Sequence, residues 1–227
     1  MNVLITRTAE QSVDTVNLLS AAGLSPYCLP MIEIVAQTPD FSHSSYDLCI
    51  LSSPAAVKYF LPHYKHLKIW KFIAVGAKTA EALTAATGAT DILVPEKFYM
   101  ADIAAKLDKW DLAGLKVLSP GAETRATDMH AFFAERGAIY EAPTTYQTLP
   151  VKYDDNYVGN FIHRYDINTV TFLSPSAAKT FFDQTELDSS VKIVAIGTTT
   201  KAVIPDRYNV LMPETQTMEG IVKLLRS

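Results

Sequence analysis

The chain has 227 residues, 48% of them hydrophobic and 19% charged, with a formal charge of −4. This length allows one large domain or two small ones, and the composition is that of a folded globular protein, not a disordered chain. No apolar run reaches the roughly 18 residues of a membrane span, and the lack of a Lys/Arg cluster argues against nucleic acid as the main partner.

The first apolar run, at 3–6, has Arg7 after it and no basic stretch before it. It reads as an opening strand and not as a secretory leader, so a cytoplasmic protein is expected. Further strands are predicted at 27–34, 48–52, 72–75, 91–94, 116–119, 139–146, 170–173, 193–196 and 209–212, with helices in nearly every gap. Most of these runs are too solidly apolar for half-exposed strands and fit a parallel sheet covered on both faces. Gly23, Gly88 and Gly137 stand where helix C-caps are expected. Cys28 and Cys49 fall in apolar runs and read as free thiols. Alternating strand and helix implies right-handed βαβ units in doubly wound sheets.

The pattern repeats. VLITRTAEQSVDTVNLLSAAGLSPYCLP, from Val3, lies without gaps over VLSPGAETRATDMHAFFAERGAIYEAPT, from Val117, and brings Gly23 onto Gly137. Further on, Ser52 aligns with Ser174, Gly76 with Gly197 and Pro95 with Pro213. This is a degenerate duplication of five strand–helix units. Linker-like composition appears at 36–47 (AQTPDFSHSSYD) and 147–157 (QTLPVKYDDNY), and not at the repeat boundary near Gly114. The expectation is therefore an inserted domain. Residues 37–148 form one α/β lobe, and 1–36 joins 149–227 in the other, with two adjacent crossing strands as a narrow hinge.

Ligands of open α/β sheets bind outside the carboxyl ends of the strands. Here those ends carry Thr6-Arg7, Ser52-Ser53-Pro54, Gly76 to Thr79, Ser119-Pro120-Gly121, Ser174-Pro175-Ser176 and Gly197-Thr198-Thr199-Thr200. Singly, each Ser or Thr is accounted for as a helix N-cap and each Pro as a first-turn residue. Together, several helix N-termini facing one way make a field of N–H donors. On two hinged lobes such fields would suit a large, flexible polyanion. Arg125, expected in the first turn of its helix, is a candidate clamp, and Tyr146 ends a strand facing the hinge. There is no G-x-G-x-x-G, P-loop or G-x-S-x-G, and His63 with His66 has no Cys or carboxylate close by to complete a metal site. A receiver-like regulator would need an acidic triad where these corners carry Ser and Thr. Two readings stay open on the residues alone, an enzyme and a non-catalytic two-lobed binding protein for a polyanionic small molecule.

The ordered set VLITR, Gly23–Pro30–Ile32, ILSSPAAV, AVGAKTAEAL, VLSPGAETR, Gly137–Tyr146, FLSPSAA and AIGTTTKAV resembles the uroporphyrinogen-III synthase family over essentially the whole chain. The resemblance implies two flavodoxin-like parallel-sheet lobes, one inserted in the other and joined by a two-stranded β-ladder. It also implies a monomer with no cofactor and no metal, in haem and other tetrapyrrole biosynthesis. The implied activity is a carbon–oxygen lyase, a cyclising hydro-lyase that dehydrates hydroxymethylbilane and closes it with ring D inverted. That substrate would come from the preceding enzyme of its pathway. Carried over by position, Tyr146 is the implied catalytic residue, assisting departure of the hydroxyl. Arg7, Ser52, Ser53, Thr79, Arg125, Ser174, Ser176, Thr199 and Thr200 are the implied substrate-binding residues. Thr8 stands where members usually have Pro after TR, Ser-Pro-Gly at 119–121 where many have Arg-Gly, and Thr198 where Pro is common.

Overall fold

The computed structural model describes residues 1–95, 100–125 and 128–226, with the backbone alone at 100–102. It opens with β1 (Asn2–Ile5), α1 (Ala9–Ala21) and β2 (Ser25–Cys28). Thr8 caps α1 by accepting the Gln11 N–H. The single strand expected over 27–34 is divided, because β3 (Ile32–Ala36) begins only after Leu29, Pro30 and Met31. Pro30 has no N–H to give to a ladder, so the strand breaks there.

Next come β4 (Ser45–Leu51), α2 (Pro54–Tyr64), β5 (Lys68–Ala74), α3 (Ala77–Thr87), β6 (Ile92–Leu93) and α4 (Met100–Leu107). They are followed by β7 (Lys116–Leu118), β8 (Gly121–Ala122), α5 (His130–Ala134), β9 (Ile139–Glu141) and β10 (Thr144–Pro150). The strand expected over 139–146 also divides, at Ala142–Pro143. The corner expected at Ser119-Pro120-Gly121 starts no helix. Ser119 N–H donates to Glu141 O and Gly121 N–H to Pro143 O, which keeps the backbone extended into β8. Arg125 consequently lies in the loop ahead of α5, not in a helical turn. The chain ends with α6 (Tyr157–Arg164), β11 (Thr169–Phe172), α7 (Pro175–Phe182), β12 (Lys192–Ala195), α8 (Thr198–Lys201), β13 (Val210–Leu211) and α9 (Met218–Arg226). Gly23, Gly88 and Gly137 follow α1, α3 and α5 in the left-handed region, where a Cβ would be strained.

The chain divides into two compact units, Met1–Ile34 with Leu149–Ser227, and Val35–Thr148. In the first, the sheet order is β13-β12-β11-β1-β2, every pair parallel. Counted along the unit this is 2-1-3-4-5, the flavodoxin-like order. Alternation along β1 supplies both faces. Leu4 joins Val170, Phe172 and Ile193 under α6 and α7, whereas Val3 and Ile5 join Val194 under Leu19 of α1 and Ile221 and Leu225 of α9. The central strand β11 is wholly buried, and its threonines are satisfied. Thr171 Oγ1 donates to Leu4 O, and Thr171 O accepts from Thr6 Oγ1, both at 2.9 Å. Phe172 and Phe181 are fully buried, and each contributes about 1.5–3 kcal/mol by leaving water.

In the second unit the order is β6-β5-β4-β7-β9, again all parallel. The repeat maps β7 and β9 onto β1 and β2, and β4 to β6 onto β11 to β13. The spatial order is therefore the same, while the chain order is rotated. Leu48, Ile50, Ile73 and Val117 pack with Ile103 and Leu107 of α4 and Phe133 of α5. The chain passes between the units within β3 and returns within β10, which are neighbours in a third sheet ordered β3-β10-β8. Gln37 N–H donates to Thr145 O, and Val151 N–H to Met31 O, so the two strands run antiparallel.

Candidate functional site

Because each five-stranded sheet is all parallel, every strand of a unit ends at the same edge, and that edge carries the candidate residues. In the first unit the rim runs in sheet order from the loop after β13, through Gly197–Thr200 after β12 and Ser174–Ser176 after β11, to Thr6–Thr8 after β1 and Cys28 closing β2. In the second it comprises Gly76–Thr79 after β5, Ser52–Ser53 after β4 and Ser119 after β7.

These corners are of two kinds. Ser53 Oγ accepts Ala56 N–H at 3.1 Å, and Ser174 Oγ accepts Ala177 N–H at 3.2 Å while meeting Ser176 Oγ at 3.1 Å. Their hydroxyls are spent on their own helices, as N-caps are. Pro54 and Pro175 fill the first turns, where a missing N–H costs nothing. Ser52 and Ser176 are the exposed serines of these corners. The other kind begins with glycine. Gly76 and Gly197 precede α3 and α8 and offer no side-chain cap, so no cap side chain serves the first-turn amides there, and Thr79 N–H donates to Gly76 O at 3.2 Å. The self-capped corners follow β4 and β11 and the open ones follow β5 and β12, positions that the duplication makes equivalent.

Thr79 and Thr200 are buried behind the open corners, and Thr79 Oγ1 donates to Val75 O at 3.2 Å. Thr198 and Thr199 are exposed. Arg7 is half-buried at the end of β1. Burial pulls its guanidinium below the ordinary value, and Asp14 acts in the opposite sense. Arg125 is likewise lowered by burial, against the pull of Tyr140, Tyr146 and Asp128. Three of its five N–H donors are committed, one on Nη1 to Ser119 O at 2.7 Å and two on Nη2 to Ala142 O at 3.0 Å and Pro143 O at 2.8 Å. Arg125 thus braces the end of β7 against the β9–β10 turn.

Tyr146 lies within β10, 8% exposed, with its ring 5.0 Å from that of Tyr59 on α2. Its carbonyl accepts Glu123 N–H at 3.0 Å. Tyr59 and Tyr140 are neighbours that sequence reasoning misses. Position 59 sits in an apolar helical stretch that reads as core, and Tyr140 is brought to Arg125 only by tertiary packing. Two hollows of about 350 and 300 Å³ open at the amino ends of the strands, one lined by His163, Asp166 and Asp188, the other by Tyr46, Trp70 and Lys116. None of the candidate residues lines either one. Among the described residues no His, Cys, Asp and Glu group is arranged to hold a metal, and no helix is long and apolar enough to cross a membrane.

Residues 13–223 match the family model described as uroporphyrinogen-III synthase HemD. The chain is 30% identical over 218 residues to the uroporphyrinogen-III synthase of Chlorobaculum parvum, covering 89% of this chain and 87% of that one. It is 25% identical over 251 residues to the corresponding enzyme of Synechococcus elongatus, covering 97% and 92%. In fold it is similar to the crystal structure of uroporphyrinogen-III synthetase from Helicobacter pylori, with a TM-score of 0.68 at 16% identity over 99% of this chain and 97% of that one. The chain belongs to the uroporphyrinogen-III synthase family.

Proposed function

We propose that this chain is the enzyme that dehydrates hydroxymethylbilane and closes it to uroporphyrinogen III. Family membership across residues 13–223 carries the reading, and the rims of open and capped corners supply chemistry suited to the substrate. Hydroxymethylbilane is a linear tetrapyrrole with eight carboxylates. Amides at the Gly76 and Gly197 corners, with the exposed Thr199, are assigned to its acetate and propionate groups, joined by the exposed Ser52 and Ser176 and by Arg7, while the buried Thr79 and Thr200 back those corners. Ser53 and Ser174 act as caps that hold those corners in shape.

The chemistry balances without a cofactor. The hydroxyl of the hydroxymethyl group on ring A leaves as water after protonation, and the methylene that stays on the ring becomes part of an azafulvenium cation. The substituted carbon of ring D attacks it, forming a spiro-pyrrolenine. That intermediate fragments and recloses with ring D turned, and loss of a proton restores the pyrrole. Overall one water is eliminated and a carbon–oxygen bond is broken, the work of a cyclising lyase. Tyr146 is assigned to the departing hydroxyl as a hydrogen-bond donor or weak acid. Uncatalysed closure is easy and gives the uninverted isomer, so the main task of the enzyme is to hold a floppy chain in one curled shape. Fixed dipoles near the transient cation add to that. We assign the chain a monomeric state and a place after the enzyme that releases hydroxymethylbilane.

A non-catalytic binding protein for a polyanion would explain the rims but not the family. The deciding experiment incubates the protein with freshly made hydroxymethylbilane and identifies the oxidised porphyrin isomer. Isomer III formed faster than background is the expected result, and the uninverted isomer alone, at the uncatalysed rate, would end this reading.

A further inference from the structure

β10 carries one residue more than β8 where the two strands pair, and the extra residue directly precedes Tyr146. Gly121 N–H donates to Pro143 O at 3.2 Å, and Glu123 N–H donates to Tyr146 O at 3.0 Å. Two steps along β8 thus match three along β10, and the register shifts between Thr144 and Tyr146. In an unbroken ladder Glu123 N–H would meet Thr145 O. This is a β-bulge, a feature rare between parallel strands and over-represented next to active sites, where it re-aims a side chain. A slip of one residue exchanges the faces of a strand, so the bulge decides which side of β10 the Tyr146 ring occupies. It is the side of Tyr59 on α2, whose ring lies 5.0 Å away and leaves Tyr146 8% exposed.

Thr145 is fully buried, and both of its oxygens hold the bulge. Its carbonyl accepts Gln37 N–H from β3 at 2.8 Å, and its hydroxyl donates to Gly121 O on β8 at 3.3 Å. The extra residue is therefore tied to the strands on either side of it. Side chains lock the register just beyond. Gln147 Nε2 donates to Glu123 Oε1 at 2.7 Å, and Gln37 Nε2 donates to Gln147 Oε1 at 3.2 Å. A continuous polar chain so crosses β3, β10 and β8 beside Tyr146.

We propose that Thr145 is a positioning residue of the reaction, holding the bulge that sets the side and the angle at which the Tyr146 phenol is presented. Buried as it is, Thr145 touches no substrate and acts through its neighbour. The assignment rests on the function proposed above, in which Tyr146 meets the departing hydroxyl.

The test uses the full chain and fresh hydroxymethylbilane, with initial rates, isomer analysis and melting temperatures for each variant. Thr145→Val keeps the shape of the side chain and removes its hydroxyl. Its kcat falls about five- to tenfold with KM within about twofold, because displacing a reacting group by about 1 Å costs up to about 100-fold. Thr145→Ser keeps the hydroxyl and recovers most of that loss. Thr145→Val combined with Tyr146→Phe is no slower than Tyr146→Phe alone, since no phenol is left to position. Glu123→Ala, at an exposed position, frees Gln147 and gives a smaller loss of the same kind, about threefold in kcat. That variant decides the matter where Thr145→Val fails to fold. A wild-type chain that forms only the uninverted isomer overturns the function and this assignment with it. With an active wild type, three results overturn the assignment alone. They are wild-type kcat in Thr145→Val, or in Glu123→Ala where the valine variant does not fold; no recovery in Thr145→Ser; and losses that multiply with that of Tyr146→Phe, as a merely structural role would give.

Discussion

Arg125→Ala separates two roles for one cation, an anion clamp suggested by its place in the sequence and a brace suggested by its partners. The guanidinium holds three carbonyls, Ser119 O at 2.7 Å, Pro143 O at 2.8 Å and Ala142 O at 3.0 Å. Together these bonds join the end of β7 to the β9–β10 turn. Gly121 sits close beneath, where a Cβ would come 3.4 Å from Arg125 Nη1. Each bond contributes about 1 kcal/mol net in a partly exposed setting, so alanine costs about 3 kcal/mol. For a unit of roughly 100 residues, each kcal/mol moves the midpoint by about 4–8 °C, so the transition of the Val35–Thr148 unit falls by about 12–24 °C. Arg125→Lys keeps the charge but loses the planar fork. Its single ammonium restores about one of the three bonds, and most of the loss remains. Calorimetry of the full chain and its two variants reads this directly. If Arg125→Ala melts like wild type while KM for hydroxymethylbilane rises, and Arg125→Lys restores KM, the brace is wrong and the residue is a clamp.

Three further outcomes are expected. Tyr146→Phe removes only a hydroxyl from a ring packed on Tyr59, so kcat falls roughly ten- to hundredfold with KM nearly unchanged; wild-type kcat in a rate assay would take Tyr146 out of the chemistry. Asp128 and Asp188 accept the backbone N–H groups of His130 and Ser190, each at 2.9 Å, which holds both carboxyls below their usual range. A depressed folded-state value means the unfolded state takes up protons first, so their contribution is full above about pH 4 and is lost as pH falls further. Asp128→Asn and Asp188→Asn should therefore flatten the acid limb of a plot of urea midpoint against pH, and an unchanged slope would contradict the assignment. Cys28 is exposed and Cys49 fully buried, so a thiol reagent should label Cys28 in the native protein and both only after unfolding, as read by mass spectrometry. Partial desolvation of its sulfur raises the Cys28 thiol above its ordinary value even though the residue is exposed, which makes its labelling slow at neutral pH.

The repeat was legible because each strand–helix unit is punctuated by residues with a mechanical reason to be there. Gly23 and Gly137 supply left-handed exits from helices, and Ser53-Pro54 and Ser174-Pro175 supply caps and first turns. Such punctuation survives divergence because its physics is local. Strand division was harder to read. Leu29–Met31 and Ala142–Pro143 sit in apolar runs whose hydrophobicity continues across the break, and only the missing N–H of Pro30 and Pro143 marks it. The two-residue strand β8 carries no periodic signal at all, and its existence depends on Thr144 and Tyr146 arriving beside it. For the same reason the role of Arg125 was hidden. A basic residue after a strand looks like an anion ligand until the carbonyls it serves, 17 and 18 residues further on, come into view.

The division between capped and open corners bears on how such a site is maintained. In both sheets the corner after the middle strand, β4 or β11, begins Ser-Pro and satisfies itself, and the next corner outward, after β5 or β12, begins with glycine and does not. A self-capped corner is stable without ligand, because its orphan amide already has the serine oxygen. An open corner has no side-chain cap for its first-turn amides, which leaves more of them to solvent. The two kinds of corner lie on adjacent strands. The arrangement occurs twice, although the second unit draws its strands from the chain in rotated order, so it follows sheet position and not chain order.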